Sequence, residues 1–257
     1  MDFVNYEVAN RVGYIILNRP EKRNAFNAQL AAELREAFTL AERDDAVKVI
    51  VLKANGAVFS AGADLDGLQQ MQQNTFAQNL ADSTFLMELY HYIYTHPKVI
   101  IAQVQGHAIA GGCGLATICD FSFSVPEAQF GYTEVKIGFI PAIVMVFLLR
   151  KIGEGRAKEL LLTGKLITAQ TAKDYGVINF VVPPENLEAE VNAFAQRLAA
   201  ETSADSLCLT KQMIAAVQEQ PLLEALANAA TQNARARETP DCQRGIRSFL
   251  QKEKLVW

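Results

Sequence analysis

From residue 3 to residue 18 the apolar residues cluster or alternate on either side of Asn10-Arg11. That pattern predicts a β-hairpin with arms at 3–8 and 12–18. A polar loop follows, Pro20 to Asn24. Leu30, Leu34, Phe38 and Ala41 then recur at helical spacing and predict a helix over 27–43. Val47 to Lys53 is a β-branched run that reads as a buried strand, and the Gly/Ala-rich stretch Ala54–Gly67 reads as a loop. Helix is expected to resume through about residue 94, with Pro97 as the breaker. Val99 to Val104 is the next strand, then a Gly-Gly turn, a helix at 112–119 and a strand from Phe121 to Val125. A rhythm of strand, loop and helix repeated three times argues for an α/β fold of stacked units with parallel pairing.

The pattern changes in the last third. Helices are expected at 153–163 and 168–175, separated at Thr163-Gly164, and Val177 to Val182 reads as a strand stopped by Pro183-Pro184. Helices at about 185–200, 204–219, 221–236 and 239–252 follow with no strand between them. The expected organisation is a core domain over 1–195 and a helical region over 196–257. That region is too long and too apolar for a tail, and is expected to pack on the core or on a partner subunit.

Composition narrows the function. Half of the 257 residues are apolar and 20% are charged, which suits a globular protein with a sizeable core. A net charge of −4 gives no electrostatic footprint for nucleic acid, so any anionic ligand must meet local positive charge. Cys113, Cys119, Cys208 and Cys242 form no CxxC pair, and His91, His96 and His107 supply no zinc pattern. No metal is expected, and reduced thiols in a cytoplasmic protein are the default. The N-terminal residues are acidic and lack the pattern of a secretory signal. The longest apolar run, Ile137 to Leu149, is interrupted by Gly138 and Pro141 and falls short of the roughly 20 residues of a transmembrane helix. No membrane partner is expected.

Three short segments carry the candidate chemistry. Gly106-His107-Ala108-Ile109-Ala110-Gly111-Gly112-Cys113-Gly114 places a Gly-Gly pair between an apolar run and a helix. Phe59-Ser60-Ala61-Gly62-Ala63-Asp64-Leu65 is a second small-residue turn. Two such turns can each aim one backbone N–H at a single point, which makes an oxyanion hole. Phe130-Gly131-Tyr132-Thr133-Glu134-Val135 then supplies one carboxylate in a largely apolar stretch. Donors plus one carboxylate suit an enzyme that stabilises an enolate and moves protons. A working Glu134 would be desolvated, with the raised pKa of a general base. Cys113 reads as a small buried residue, His107 as structural, and Asp64 as a loop-fixing residue or N-cap.

Taken together, these segments resemble the enoyl-CoA hydratase/isomerase (crotonase) family over nearly the whole chain. The resemblance also rests on Leu17-Asn18-Arg19-Pro20 with Asn24-Ala25, Cys119-Asp120, Ala128-Gln129, and Gly164-Lys165-Leu166-Ile167-Thr168-Ala169. It implies a spiral of stacked ββα units with a helical C-terminal trimerisation region, a homotrimer or dimer of trimers, and an acyl-CoA thioester substrate with no cofactor. It implies that the N–H groups of Ala63 and Gly111 hold the thioester oxygen, where losing one donor typically costs ~3 kcal/mol. It further implies CoA contacts from Lys22, Arg23 and Ala25 and from Ala61, Gly62, Asp64 and Leu65. Gly112 and Tyr132 are implied beside the acyl group. Phe249 and Lys252 are implied near the CoA of this or a neighbouring subunit.

Two departures matter. Asp66 stands where hydratases of this family often carry a lysine, and Gly114 stands where they commonly carry a second glutamate beside the one matching Glu134. One carboxylate suffices to move a double bond from C3 to C2, which favours an isomerase on chemistry alone. The wording around Glu134 is instead similar to bacterial hydratases of the methylglutaconyl-CoA type from leucine breakdown, with Gly114 expected to leave space for a branched acyl group. Hydration of a 2-enoyl-CoA is the leading expectation. Isomerisation is the alternative, and a non-catalytic acyl-CoA-binding or scaffold role the third.

Overall fold

A computed structural model describes residues 1–257. Strands β1 (Val4–Ala9) and β2 (Val12–Leu17) form the expected hairpin, paired antiparallel from Val4 opposite Leu17 to Ala9 opposite Val12. Asn10 and Arg11 both take positive φ, 50° and 65°, as a two-residue turn matched to strand twist requires. Helix α1 (Ala28–Arg43) is capped by Asn27, whose side chain accepts from the Leu30 N–H at 2.8 Å. Its buried Leu30, Leu34, Ala37, Phe38 and Ala41 form the expected apolar stripe, and the helix packs on β1 and β2.

Each of the next three turns of chain contributes two strands and then helix. The first gives β3 (Val49–Ala54), β4 (Val58–Ser60) and helices α2 (Leu65–Met71) and α3 (Phe76–Thr95). Next come β5 (Val99–Val104), β6 (His107–Ile109) and α4 (Gly111–Ile118). The third gives β7 (Phe121–Ser124), β8 (Gln129–Gly131), a 3-10 turn over Glu134–Ile137 and α5 (Ala142–Thr163). The longer strands pair in a six-stranded sheet of order β1-β2-β3-β5-β7-β10, and the shorter ones in a second sheet of order β4-β6-β8-β9. Within the spiral, neighbouring strands of both sheets run parallel. This is the spiral of ββα units that the sequence led us to expect.

The chain continues through β9 (Ile167–Thr168), α6 (Ala169–Tyr175), β10 (Phe180–Val181) and α7 (Leu187–Glu201). Helix α7 runs unbroken through residue 195 and lies across β2, β3, β5 and β7, burying Leu187, Val191, Ala195 and Ala199. Helices α8 (Ala204–Val217), α9 (Leu222–Ala236) and α10 (Pro240–Gln251) complete the chain. Of these three, α8 packs on the core through α3 and β5. Its one buried residue is Lys211, whose Nζ pairs with Asp120 at 2.7 Å.

Several elements differ from the sequence reading. In the second sheet β4 and β6 sit in stretches read as loop or turn, β8 in one assigned no element and β9 at the start of the helix expected over 168–175, because strands of two or three residues carry no periodicity. The helix expected at 153–163 begins at Ala142, and its kink falls at Gly153, where φ is 75°. The helix expected to run unbroken to residue 94 is split, because Thr75 and Gln78 form a capping box that starts α3 afresh. Only Phe180 and Val181 of the strand expected over Val177–Val182 are paired. No helix is long and apolar enough to cross a membrane.

Candidate active site

The small sheet assembles the site. β4, β6 and β8 are parallel neighbours, so their carboxyl ends lie side by side. β4 leads into Gly62-Ala63, β6 into Gly111, and β8 into Glu134. Segments about seventy residues apart in sequence are thereby delivered to one edge of one sheet.

The two turns touch. Gly62 has φ 87°, and a Cβ built on it would lie 2.8 Å from the Ala110 Cβ, 3.0 Å from the Ile109 carbonyl oxygen and 3.6 Å from the Gly111 nitrogen. Only glycine meets both the conformation and the clearance there. Phe26 donates to the Gly62 carbonyl at 2.6 Å, and its own carbonyl accepts from Asp64 N–H at 2.9 Å. Ala63 stands between these two bonds, exposed, and its N–H donates to no protein acceptor. Gly111 is the first residue of α4, so its N–H has no intrahelical acceptor and carries the positive end of the helix dipole. Ala110 holds the turn at φ 52°, ψ −122°, a strained conformation for a residue with a Cβ. Its N–H donates to the Gly131 carbonyl at 2.7 Å, tying the turn to the strand that leads to Glu134.

Glu134 is half-buried, and its Oε2 is buried with no hydrogen-bond partner. Burial pushes its pKa above the ordinary 4.5, against a smaller lowering from its own backbone N–H. A desolvated carboxylate with one oxygen unpartnered favours its protonated form. Gly114, one helical turn along from Gly111, has no space beside it. A Cβ there would collide with Val144 Cγ1 and lie 3.1 Å from the Tyr90 ring. The room expected at Gly114 for a branched acyl group is therefore taken by Val144, carried in by α5. Gly114→Ala is expected to cost about 1–3 kcal/mol by overpacking. Urea unfolding checks this, and Val144→Ala in the same chain should recover most of the loss.

The loop over 19–25 is fixed to the first turn. Arg19 Nη1 donates to Asp64 Oδ2 at 2.5 Å and to the Ala25 carbonyl at 3.1 Å, with both charged side chains buried. Burial alone would raise the Asp64 pKa, but the hydrogen bonds from Arg19 and the Asp66 N–H, with the charges of Arg19 and Lys22, hold it below its ordinary value. Asp64 is also the N-cap of α2, so its carboxylate is committed within the protein. Asn24, fully buried at φ 51°, donates to the Asn55 and Val58 carbonyls at 2.9 and 2.8 Å. Arg19 did not stand among the expected site residues, and Asn24 did so only as part of the Lys22-Arg23-Asn24-Ala25 loop matched to CoA contacts. Both lie in the Asn18-Arg19-Pro20 and Asn24-Ala25 segments, and a buried charge and an asparagine in a tight loop were their signal.

Asp64→Ala is expected to cost about 3–5 kcal/mol, because Arg19 is left buried without its partner. Chemical denaturation reads the loss. The pair's contribution is complete above the ordinary Asp value of 3.8 and disappears as pH falls through the lower folded value.

The remaining residues separate. Lys22 and Arg23 are exposed beside the first turn, and Lys22 pairs with Asp66 at 3.3 Å. Ala25 and Gly112 are buried, Ala61 is half-buried and Leu65 is exposed. Gly112 lies on Ser60, whose backbone oxygen would be 2.5 Å from an added Cβ. Tyr132 is fully buried with its hydroxyl 2.9 Å from Thr117 Oγ1, so it joins β8 to α4 inside the core. Burial pushes the Cys113 thiol up to about 12, which leaves it inert. Phe249 and Lys252 are exposed at the end of α10, which packs on α8 rather than beside Lys22. A cavity of about 1110 Å³ between α1, α3, α5 and α8 is lined by none of the expected site residues.

A strained turn, a helix N-terminus and a carboxylate with one unpartnered oxygen follow the three parallel strands of the small sheet. The family model for enoyl-CoA hydratase/isomerase matches residues 7–257. A Thermus thermophilus relative, provisionally named an enoyl-CoA hydratase, is 43% identical over 94% of this chain and 95% of its own. The mitochondrial enoyl-CoA hydratase of Pongo abelii is 35% identical over 95% of this chain and 83% of its own. A crystal structure from Legionella pneumophila, provisionally described as an enoyl-CoA hydratase/isomerase (crotonase), superposes with a TM-score of 0.89 at 36% identity, covering 98% of both chains. The chain belongs to the enoyl-CoA hydratase/isomerase family and has the crotonase fold.

Proposed function

We propose that this enzyme adds water to a 2-enoyl-CoA thioester. The observation that carries the reading is the buried, unpartnered Oε2 of Glu134 beside the joined turns of Ala63 and Gly111. Water attacks C3 and gives its proton to Glu134, while the π electrons move through C2 onto the thioester oxygen. The Ala63 and Gly111 N–H groups stabilise that enolate oxygen. The carbonyl then re-forms as C2 takes the proton from Glu134, so one carboxylate serves as base and acid in turn.

Lys22 and Arg23 supply the positive charge for the CoA phosphates, weakened by the Lys22–Asp66 pair. Leu65 covers the CoA from the exposed side. Phe249 and Lys252 reach the CoA of a neighbouring subunit. The exposed Leu222, Leu223, Leu226, Ile246 and Leu250 of α9 and α10 support a homotrimer or dimer of trimers. Sedimentation is expected to give three or six chains, and a monomer at micromolar concentration would remove that part of the reading.

The isomerase reading keeps one specific support: Gly114 with Val144 against it leaves the site a single carboxylate, and a double-bond shift needs no more. Ultraviolet absorbance separates the two. A hydratase makes the conjugated 2-enoyl thioester band fall, whereas an isomerase given a 3-enoyl thioester makes it rise. No change with either substrate counts against both.

A further inference from the structure

Glu134, Gly111 and Gly114 come from different segments, and one side chain outside all of them touches their surroundings. Tyr90, from α3, is fully buried. Its hydroxyl donates to the Gly111 carbonyl at 2.6 Å. Its ring edge faces Gly114, 3.1 Å from where a Cβ would stand. The Glu134 carboxylate is near enough to act on its phenol electrostatically, and Phe147 of α5 backs the ring at 6.4 Å between centroids.

The contact falls at a demanding place. Gly111 follows the strained Ala110 and opens α4, and it has no side chain to fix its orientation. At a helix N-terminus the first N–H groups have no partner in their own helix, and a glycine there adds no Cβ to restrict its φ and ψ. A short hydrogen bond from a rigid phenol, itself wedged between Gly114 and Phe147, is a fixed external anchor on that residue. Tyr90 carries no other hydrogen bond, and the ring alone would fill the space equally well without the hydroxyl.

We propose that Tyr90 is a positioning residue for the thioester-activating N–H of Gly111: by holding the carbonyl of the 111–112 peptide, while Gly114 N–H holds the Ala110 carbonyl of the 110–111 peptide at 3.0 Å, it fixes the two soft torsions of Gly111 between them and so the seat of the donor. The inference rests on the oxyanion role given to Gly111 above. It assigns Tyr90 no contact with substrate and no proton transfer.

The test is the carbonyl stretching frequency of a carbon-13-labelled 2-enoyl thioester bound to wild type and to Tyr90→Phe, with kcat and KM measured on both. Wild type is expected to shift the band to lower frequency than in water. Tyr90→Phe keeps the ring and is expected to lose half or more of that shift and at least tenfold in kcat, with KM within threefold. A Tyr90→Phe enzyme with the wild-type band and wild-type kcat overturns the assignment. So does a loss confined to thermal stability, since saturating ligand holds the protein folded and a purely structural hydroxyl would leave the band unmoved. Absence of a band shift in wild type overturns the oxyanion reading itself, and Tyr90 with it.

Should Tyr90→Phe fail to fold, Val144→Ala reads the same anchor. It keeps the hydroxyl but loosens the seat the ring shares at Gly114, and is expected to give a band between wild type and water. A wild-type band in that variant would count against the proposal.

Discussion

Glu134→Gln is expected to lower kcat by about 10³-fold while leaving CoA affinity within a few-fold. The substitution keeps size and polarity but removes the group proposed to take the water proton and return it to C2. Gly114 supplies no second carboxylate, and Val144 and Tyr90 fill the space where its side chain would stand. Steady-state kinetics and CoA titration check it, and retained turnover in a folded variant would end the single-base mechanism.

The same residue sets a pH limit. Turnover needs the carboxylate form, so kcat/KM should fall as pH drops through the raised Glu134 pKa, above the ordinary 4.5. The sign for stability is opposite. A carboxyl whose folded pKa is raised binds its proton more tightly in the folded chain, so wild-type stability declines as pH rises from the unfolded value through the folded one. Glu134→Gln lacks that decline. It should be the more stable protein at pH 7 and lose the advantage below the unfolded value. The site is therefore held at a cost to stability that function requires.

Gly111→Pro is expected to reduce kcat by about 10²–10³-fold through loss of one oxyanion donor. Gly111 is the first residue of α4, where proline lacks only an N–H that has no helical acceptor, and an added Cβ would meet nothing closer than the Tyr90 hydroxyl at 3.4 Å. Circular dichroism should report a folded protein. Unchanged turnover in that protein would refute the donor assignment.

The larger sheet was legible in the sequence because its core strands, Val49–Leu52 and Val99–Ala102, are continuous apolar runs of the kind that a doubly covered parallel sheet demands. The smaller sheet was not, although it is the one that builds the site. Strands such as His107–Ile109 bury too little to leave a pattern, and what marks them is the glycines that let the turns beyond them close. Those glycines pointed to the two turns, the family resemblance pointed to Ala63 and Gly111 within them, and the apolar setting of Glu134 pointed to its burial. Tyr132 reads as pocket-lining from its place two residues before Glu134, but β8 turns it inward to Thr117. Tyr90 and Val144 were invisible because nothing local distinguishes a buried tyrosine or valine of an apolar helix from any other. Their roles exist only once α3 and α5 are folded against Gly114.

The most direct test is mass spectrometry of a 2-enoyl-CoA incubated with the enzyme in oxygen-18 water, with Glu134→Gln alongside. The expected product is heavier by one labelled water and absent with the variant. An unchanged 2-enoyl-CoA mass, together with conversion of a 3-enoyl-CoA to its 2-enoyl isomer without mass gain, would contradict hydration and make the single carboxylate an isomerase base.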